Sequence, residues 1–116
     1  MPMKFTLYQI DPDLDRSGAL FMRYQAVRDS GLKIDRGIYR KVYGPVELPV
    51  PYSVEETLEQ LYVELNTGPA PLPDGYAGRS MSVSDVVTVD GDFAQQRDVW
   101  YCDAIGFKRL SEEEWQ

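Results

Sequence analysis

The sequence predicts an α+β fold: a single domain over residues 1–116, with a mostly antiparallel sheet packed against one or two helices. Three observations lead there. The length, 116 residues, suits one domain and lets the chain bury roughly two-thirds of its unfolded surface. Apolar residues make up 43% and charged residues 27% of the chain, the balance of an ordinary globular protein rather than a disordered one. The local signals run β-α-β-α-β-β with a closing hairpin, an order that belongs to α+β proteins.

The elements follow in turn. Lys4 to Ile10, with Phe5, Leu7, Tyr8 and Ile10, is a β-rich run and reads as the first strand. Asp11-Pro12-Asp13 ends it with a turn. Phe21 to Ser30 reads as a short helix, with Tyr24 and Val27 on one face, and Gly31 stands where a helix C-cap glycine belongs. Gly37 to Leu48 contains a second strand, its apolar positions Ile38, Val42, Val46 and Leu48, bent at Gly44-Pro45 because proline is confined to edges and bends. Ser53 to Asn66 is the clearest element. Ser53 and Glu56 form a capping box, and Val54, Leu58, Leu61, Tyr62 and Leu65 make one apolar stripe at helical period.

Residues 66–79 form a loop with three prolines and three glycines, longer than the median of about four to six residues in compact domains. Ser80 to Val89 reads as a strand stopped at Asp90-Gly91, and Val99 to Ile105 as its hairpin partner beyond a loop centred near Ala94. Gly106 to Leu110 reads as a turn and a short strand. Ser111 with Glu114 repeats the capping-box pattern before Trp115.

Composition removes several chemistries. The chain has no His and one Cys, so the commonest general base and metal ligand is missing, and neither an internal disulfide nor a thiolate zinc cluster can form. No cofactor or metal is expected. Asp11, Asp13 and Asp15 alternate like a calcium loop, but the sixth and twelfth positions hold Arg16 and Met22 instead of Gly and Glu. The net charge is −7 and uneven: residues 1–50 sum to +2 and residues 51–116 to −9, from eight basic and six acidic against four basic and thirteen acidic side chains. That balance disfavours direct nucleic-acid binding and suits a basic protein partner. No apolar run spans a membrane and the N-terminus has no signal-peptide pattern, so a cytoplasmic location is expected.

Two places invite function. Glu55, Glu56, Glu59 and Glu64 lie off the apolar stripe without a Lys or Arg on the same helix, and are the candidates for partner binding. Asp85 falls in phase with Met81, Val83, Val87 and Val89, and Asp103 with Tyr101 and Ile105. A carboxylate on an apolar face needs hydrogen bonds or a turn at Ser84-Asp85 that shifts the phase. With the hairpin centred near Ala94, the two carboxylates face each other, which is raw material for acid/base catalysis. The structural reading is the stronger one, because Ser82, Ser84 and Asp85 are residue types that pin backbone turns. Cys102, in phase with Trp100, reads as a buried small hydrophobe.

Taken together, Asp35 to Tyr43, Thr57 to Asn66, Gly78 to Val87 and Trp100 to Phe107 resemble the YodL-like domain, over about Lys4 to Leu110. The most specific parts are Ser82 to Val86 and the ending Tyr101, Asp103, Gly106 and Phe107. Tyr39, Tyr43, Ser82, Ser84, Asp85, Asp103, Gly106 and Phe107 are the family-motif residues and are expected to be structural. The chain departs at Arg79, where the family often has His, at Ala104 (usually Ser), at Ile105 (usually Phe), and over the loop from Thr67 to Tyr76. The resemblance implies a protein of bacteria, their phages or conjugative elements, with no catalytic site carried over. The leading expectation is a non-catalytic acidic protein in a bacterial host cell. It would inhibit a host protein, with antirestriction or anti-CRISPR inhibition by nucleic-acid mimicry as the sharpest version. A small enzyme using Asp85 and Asp103, and an accessory docking or oligomerisation module, are the alternatives.

Overall fold

The computed structural model describes residues 2–66, 72–91 and 97–115. In order they form β1 (Pro2–Ile10), α1 (Tyr24–Asp29), a 3-10 turn (Arg36–Ile38), β2 (Tyr39–Pro49), α2 (Val54–Asn66), β3 (Val86–Asp90), β4 (Arg97–Cys102) and β5 (Phe107–Leu110). The five strands make one sheet in the order β2-β1-β3-β4-β5, antiparallel at every pairing. The fold is α+β, as the order of local signals suggests.

Each face of the sheet carries its own core. Phe5 and Leu7 of β1 point to the same side as Val87, Val89 and Trp100, where Leu58, Leu61 and Leu65 of α2 cover them. Burying three leucines this way contributes about 1.5–3 kcal/mol each. The stripe read from the sequence is thus the packing face of α2, and Thr57 joins it. Tyr8, one residue out of phase, lies on the opposite side with Val86, Val99, Tyr101 and Leu110, under Val27 of α1 and Trp115. The two-residue period of a strand separates these sets. Trp115 stacks edge-on against Tyr8 and Tyr39, with centroids 5.6 and 5.1 Å away.

Several local expectations hold. Ser53 Oγ accepts the Glu56 amide at 3.2 Å. Ser111 and Glu114 cap each other from both directions. At the end of α1, Gly31 N donates to Arg28 O and Leu32 N to Val27 O. The bend in β2 is real: its register with β1 slips between Phe5 and Leu7 and again between Leu7 and Tyr8, and the Gly44-Pro45 peptide is cis. Gly44 has φ +98°, and a Cβ there would sit 2.4 Å from Phe5 O, so only glycine lets β2 pass this close to β1. Val42, skipped in the pairing with β1, takes a hydrogen bond from Ala77 N instead. Pro45 and Pro49 lie on this outer strand, and the opposite outer strand, β5, is four residues long with Lys108 and Arg109 at its centre.

Other boundaries need correction. The helix expected over Phe21–Ser30 spans only Tyr24–Asp29. Phe21 has a left-handed φ of +67°, which no helix accommodates. The strand expected from Ser80 begins at Val86. Ser82 to Asp85 is a turn closed by Asp85 N to Ser82 O, with Ser84 at φ +84°. The strand expected over Val99–Ile105 is Arg97–Cys102; Ile105 sits in the next turn, 94% exposed. The hairpin tip near Ala94 and residues 67–71 of the Pro/Gly loop lie outside the described residues. Among the described residues, no helix is long and apolar enough to cross a membrane.

Candidate functional site

The expected facing of Asp85 and Asp103 does not occur. The register Val86↔Tyr101 continues with Cys102 N donating to Asp85 O and Ser84 N to Cys102 O, so Asp85 lies opposite Cys102. Asp103 turns away, its Oδ1 accepting the amides of Tyr24 (3.2 Å) and Ala104 (2.8 Å). The two carboxylates share no proton and no ligand. Asp103 ties the β4–β5 turn to the start of α1, and its own amide donates to Gly106 O to close that turn.

Asp85 is at the centre of a different cluster. Its side chain is fully buried, at 0% exposure, as is Gln9 of β1. Asp85 Oδ2 accepts Gln9 Nε2 and the Ser82 amide, both at 2.9 Å. Its Oδ1 has no hydrogen bond and faces Arg79 Nη2 across 3.7 Å. Arg79 is fixed three ways: its amide donates to Gln9 Oε1 at 3.1 Å, its Nη1 to Ile10 O at 3.1 Å, and its guanidinium lies 5.4 Å from the Phe21 ring. Gly78 makes the approach possible, since a Cβ there would meet Gln9 Oε1 at 2.3 Å. Burial pushes the Asp85 carboxyl up to about 7, against the pull of the Ser82 amide, Gln9 and Arg79. Burial likewise pushes the Cys102 thiol up to about 12, which makes it unreactive in the folded protein.

Some of the motif residues border this cluster, and others lie elsewhere in the fold. Tyr39 Oη donates to Ser84 O at 2.7 Å, and Ser84 Oγ accepts the Phe21 amide at 3.0 Å. The two non-glycine residues in left-handed conformations among the described residues are therefore bonded to each other. Tyr43 packs on Tyr76 with centroids 5.5 Å apart, Ser82 Oγ donates to Ser80 O, and Phe107 packs at the margin of the α2-side core. Sequence reasoning missed Gln9, Tyr76 and Arg79 as members of the cluster. Gln9 carried a usable signal, being a polar residue in phase with Phe5 and Leu7. Arg79 and Tyr76 come from the loop and carried none.

The other candidate is the outer face of α2. Glu55, Glu56, Glu59 and Glu64 are all exposed, and none forms an ion pair among the described residues. Elsewhere on the surface, Asp90, Asp98 and Glu114 each face an arginine, Arg97, Arg109 and Arg28. Tyr52, just before α2, is 84% exposed. The aspartates at 11 and 15 instead cap turns: Asp11 Oδ1 accepts Asp13 N, and Asp15 accepts the amides of Ala19 and Leu20.

A family model, the YodL-like domain, matches residues 4–112, nearly the whole chain. The chain belongs to the YodL-like domain family. No curated protein and no solved structure matches it. Within this YodL-like domain, the motif around Ser82, Ser84 and Asp85 corresponds to the buried turn, and the motif ending at Phe107 to the turn that Asp103 pins.

Proposed function

We propose that this YodL-like protein is a non-catalytic interaction protein that binds and inhibits a basic host protein through the outer face of α2. One observation carries the reading: α2 presents four exposed glutamates on one helix without a cationic partner among the described residues, beside an exposed tyrosine. Such a face is complementary to a surface rich in Lys and Arg, and exposed tyrosines are frequent anchors at interfaces. The family context adds a setting, a phage or other mobile element acting in the bacterial cytoplasm. A defence component with a basic nucleic-acid channel is the sharpest form of the partner. The burial of Asp85 and its distance in register from Asp103 weigh against the carboxylate-pair enzyme.

The test is charge reversal. Glu55→Lys, Glu59→Lys and Glu64→Lys together should abolish partner capture and inhibition while the chain stays folded, with a small loss of stability because Glu55 sits at the positive end of the helix dipole. Undiminished inhibition by the folded triple variant overturns the proposal. Sedimentation of the isolated chain separates the accessory oligomerisation module, which would self-associate.

A further inference from the structure

On the side of the sheet away from α2, a groove of about 960 Å3 runs between α1, the residues that follow it and the C-terminal turn. That is the size of a site for a ligand or a short stretch of peptide. Residues 32–35, Leu-Lys-Ile-Asp, all line it and belong to no helix or strand. They nevertheless carry a strand's pattern. Leu32 and Ile34 are half-buried against the Trp115 core, while Lys33 and Asp35 are exposed, the two-residue alternation of a pleated chain. Asp35 has extended dihedrals, φ −107° and ψ 102°. Among the described residues, the amides of Lys33, Ile34 and Asp35 make no hydrogen bond, and neither do the carbonyls of Leu32, Lys33 and Ile34.

We propose that residues 32–35 are a docking strand: an extended peptide of a partner protein, alternating aliphatic and acidic side chains, pairs with their backbone and lies in the groove.

The walls select that occupant. Open amides and carbonyls in an extended run are what an added strand takes up. The sheet's outer strands do not offer them, since β2 slips in register twice and β5 is four residues long. A strand laid beside Leu32 and Ile34 points every second side chain the way they point, toward Val27 and the apolar floor, so aliphatic residues suit those positions. The intervening side chains stand beside Lys33, which forms no ion pair among the described residues. Arg28, also on the wall, reaches Glu114 only at 3.9 Å and leaves its side chain 61% exposed. Two of the three lining acids are engaged: Asp35 Oδ1 accepts the Gly37 amide, and Glu114 accepts the Tyr24 hydroxyl and the Ser111 amide. Two available cations against one uncommitted acid, Glu113, favour acidic side chains in the occupant. The groove and the glutamates of α2 lie on opposite sides of the sheet, so neither proposal rests on the other.

Amide NMR on the full chain, titrated with a blocked hexapeptide of alternating valine and glutamate, reads the docking strand. The amides of Lys33, Ile34 and Asp35 should shift as the peptide binds. A paired strand offers one edge, carrying the amides of alternate residues. Methylating the backbone nitrogens of either the valines or the glutamates should therefore abolish the shifts, and methylating the other set should spare them. Lys33→Glu, at an exposed site, should weaken binding about tenfold and turn the preference toward a valine–lysine peptide. Four results overturn the proposal: no shift at residues 33–35 with millimolar peptide, shifts confined to α2, equal effects of the two methylation patterns, or unchanged affinity in Lys33→Glu. Sedimentation without peptide supplies a fifth, because dimers that Lys33→Glu disperses would make the segment a surface for a second copy of the chain instead.

Discussion

Asp85 shows how a single residue can be legible and still be misread. Its position on an apolar face was visible in the sequence, and a turn at Ser84-Asp85 was among the explanations offered there. The partner was not visible, because the offset that puts Cys102 rather than Asp103 opposite Asp85 depends on one residue in a hairpin. The consequence for stability has a definite sign. Folded Asp85 holds its proton up to about 7, whereas the unfolded carboxyl loses it near 3.8. Between those values the folded state binds more protons than the unfolded state, so this group's contribution, fully present below about pH 4, is lost as pH rises through about 7. Denaturant midpoints measured from about pH 4.5 to about pH 8 should therefore fall more steeply for wild type than for Asp85→Asn. Across that window the difference between the two profiles should accumulate to about 3 kcal/mol. Identical pH profiles would remove Asp85 from the account.

At the scale of elements, α2 was legible from both its cap and its stripe because each is a local pattern at fixed spacing. The bend of β2 was legible because glycine and proline together leave the backbone few choices. The start of β3 was not, since Met81 and Val83 continue the strand-like alternation while the chain is already turning at Ser82 to Asp85. Side-chain alternation reports burial, and both a turn and a strand can bury Met81. Gly44 offers a test of the β1–β2 contact. Gly44→Ala places a Cβ against the Phe5 carbonyl, at a φ that L residues disfavour, and should lower unfolding free energy by about 3 kcal/mol. A loss under about 0.5 kcal/mol, measured by urea denaturation, would mean that β2 can shift away from β1 without cost.

The whole molecule is organised as two small cores back to back on one sheet, each closed by a different part of the chain. α2 closes one, and Trp115 with α1 closes the other. Trp115→Ala should cost about 3–4 kcal/mol, as for other large aromatic truncations, and should leave capture of a partner by α2 unaffected at temperatures where the variant is folded. Loss of capture in the folded variant would place the binding face on the Trp115 side. The uneven charge of the sequence takes a spatial form here: α2 carries four unpaired glutamates on the surface, while Asp85 is spent inside the fold and Asp103 holds a turn. The sequence could locate the surface charge because helix periodicity alone assigns a face. It could not locate the buried cluster around Asp85, which is assembled from residues some seventy positions apart, as Gln9 and Arg79 are.

The outer strands have one more effect. β2 is interrupted by two register slips, Pro45 and Pro49, with Val42 O already engaged by Ala77; β5 is short and basic. Neither offers a straight, open row of amides and carbonyls for another strand to join. The sheet is closed to growth at both margins, so concentrated protein should resist fibril formation, and recognition of other molecules at the sheet is left to side chains rather than to backbone pairing.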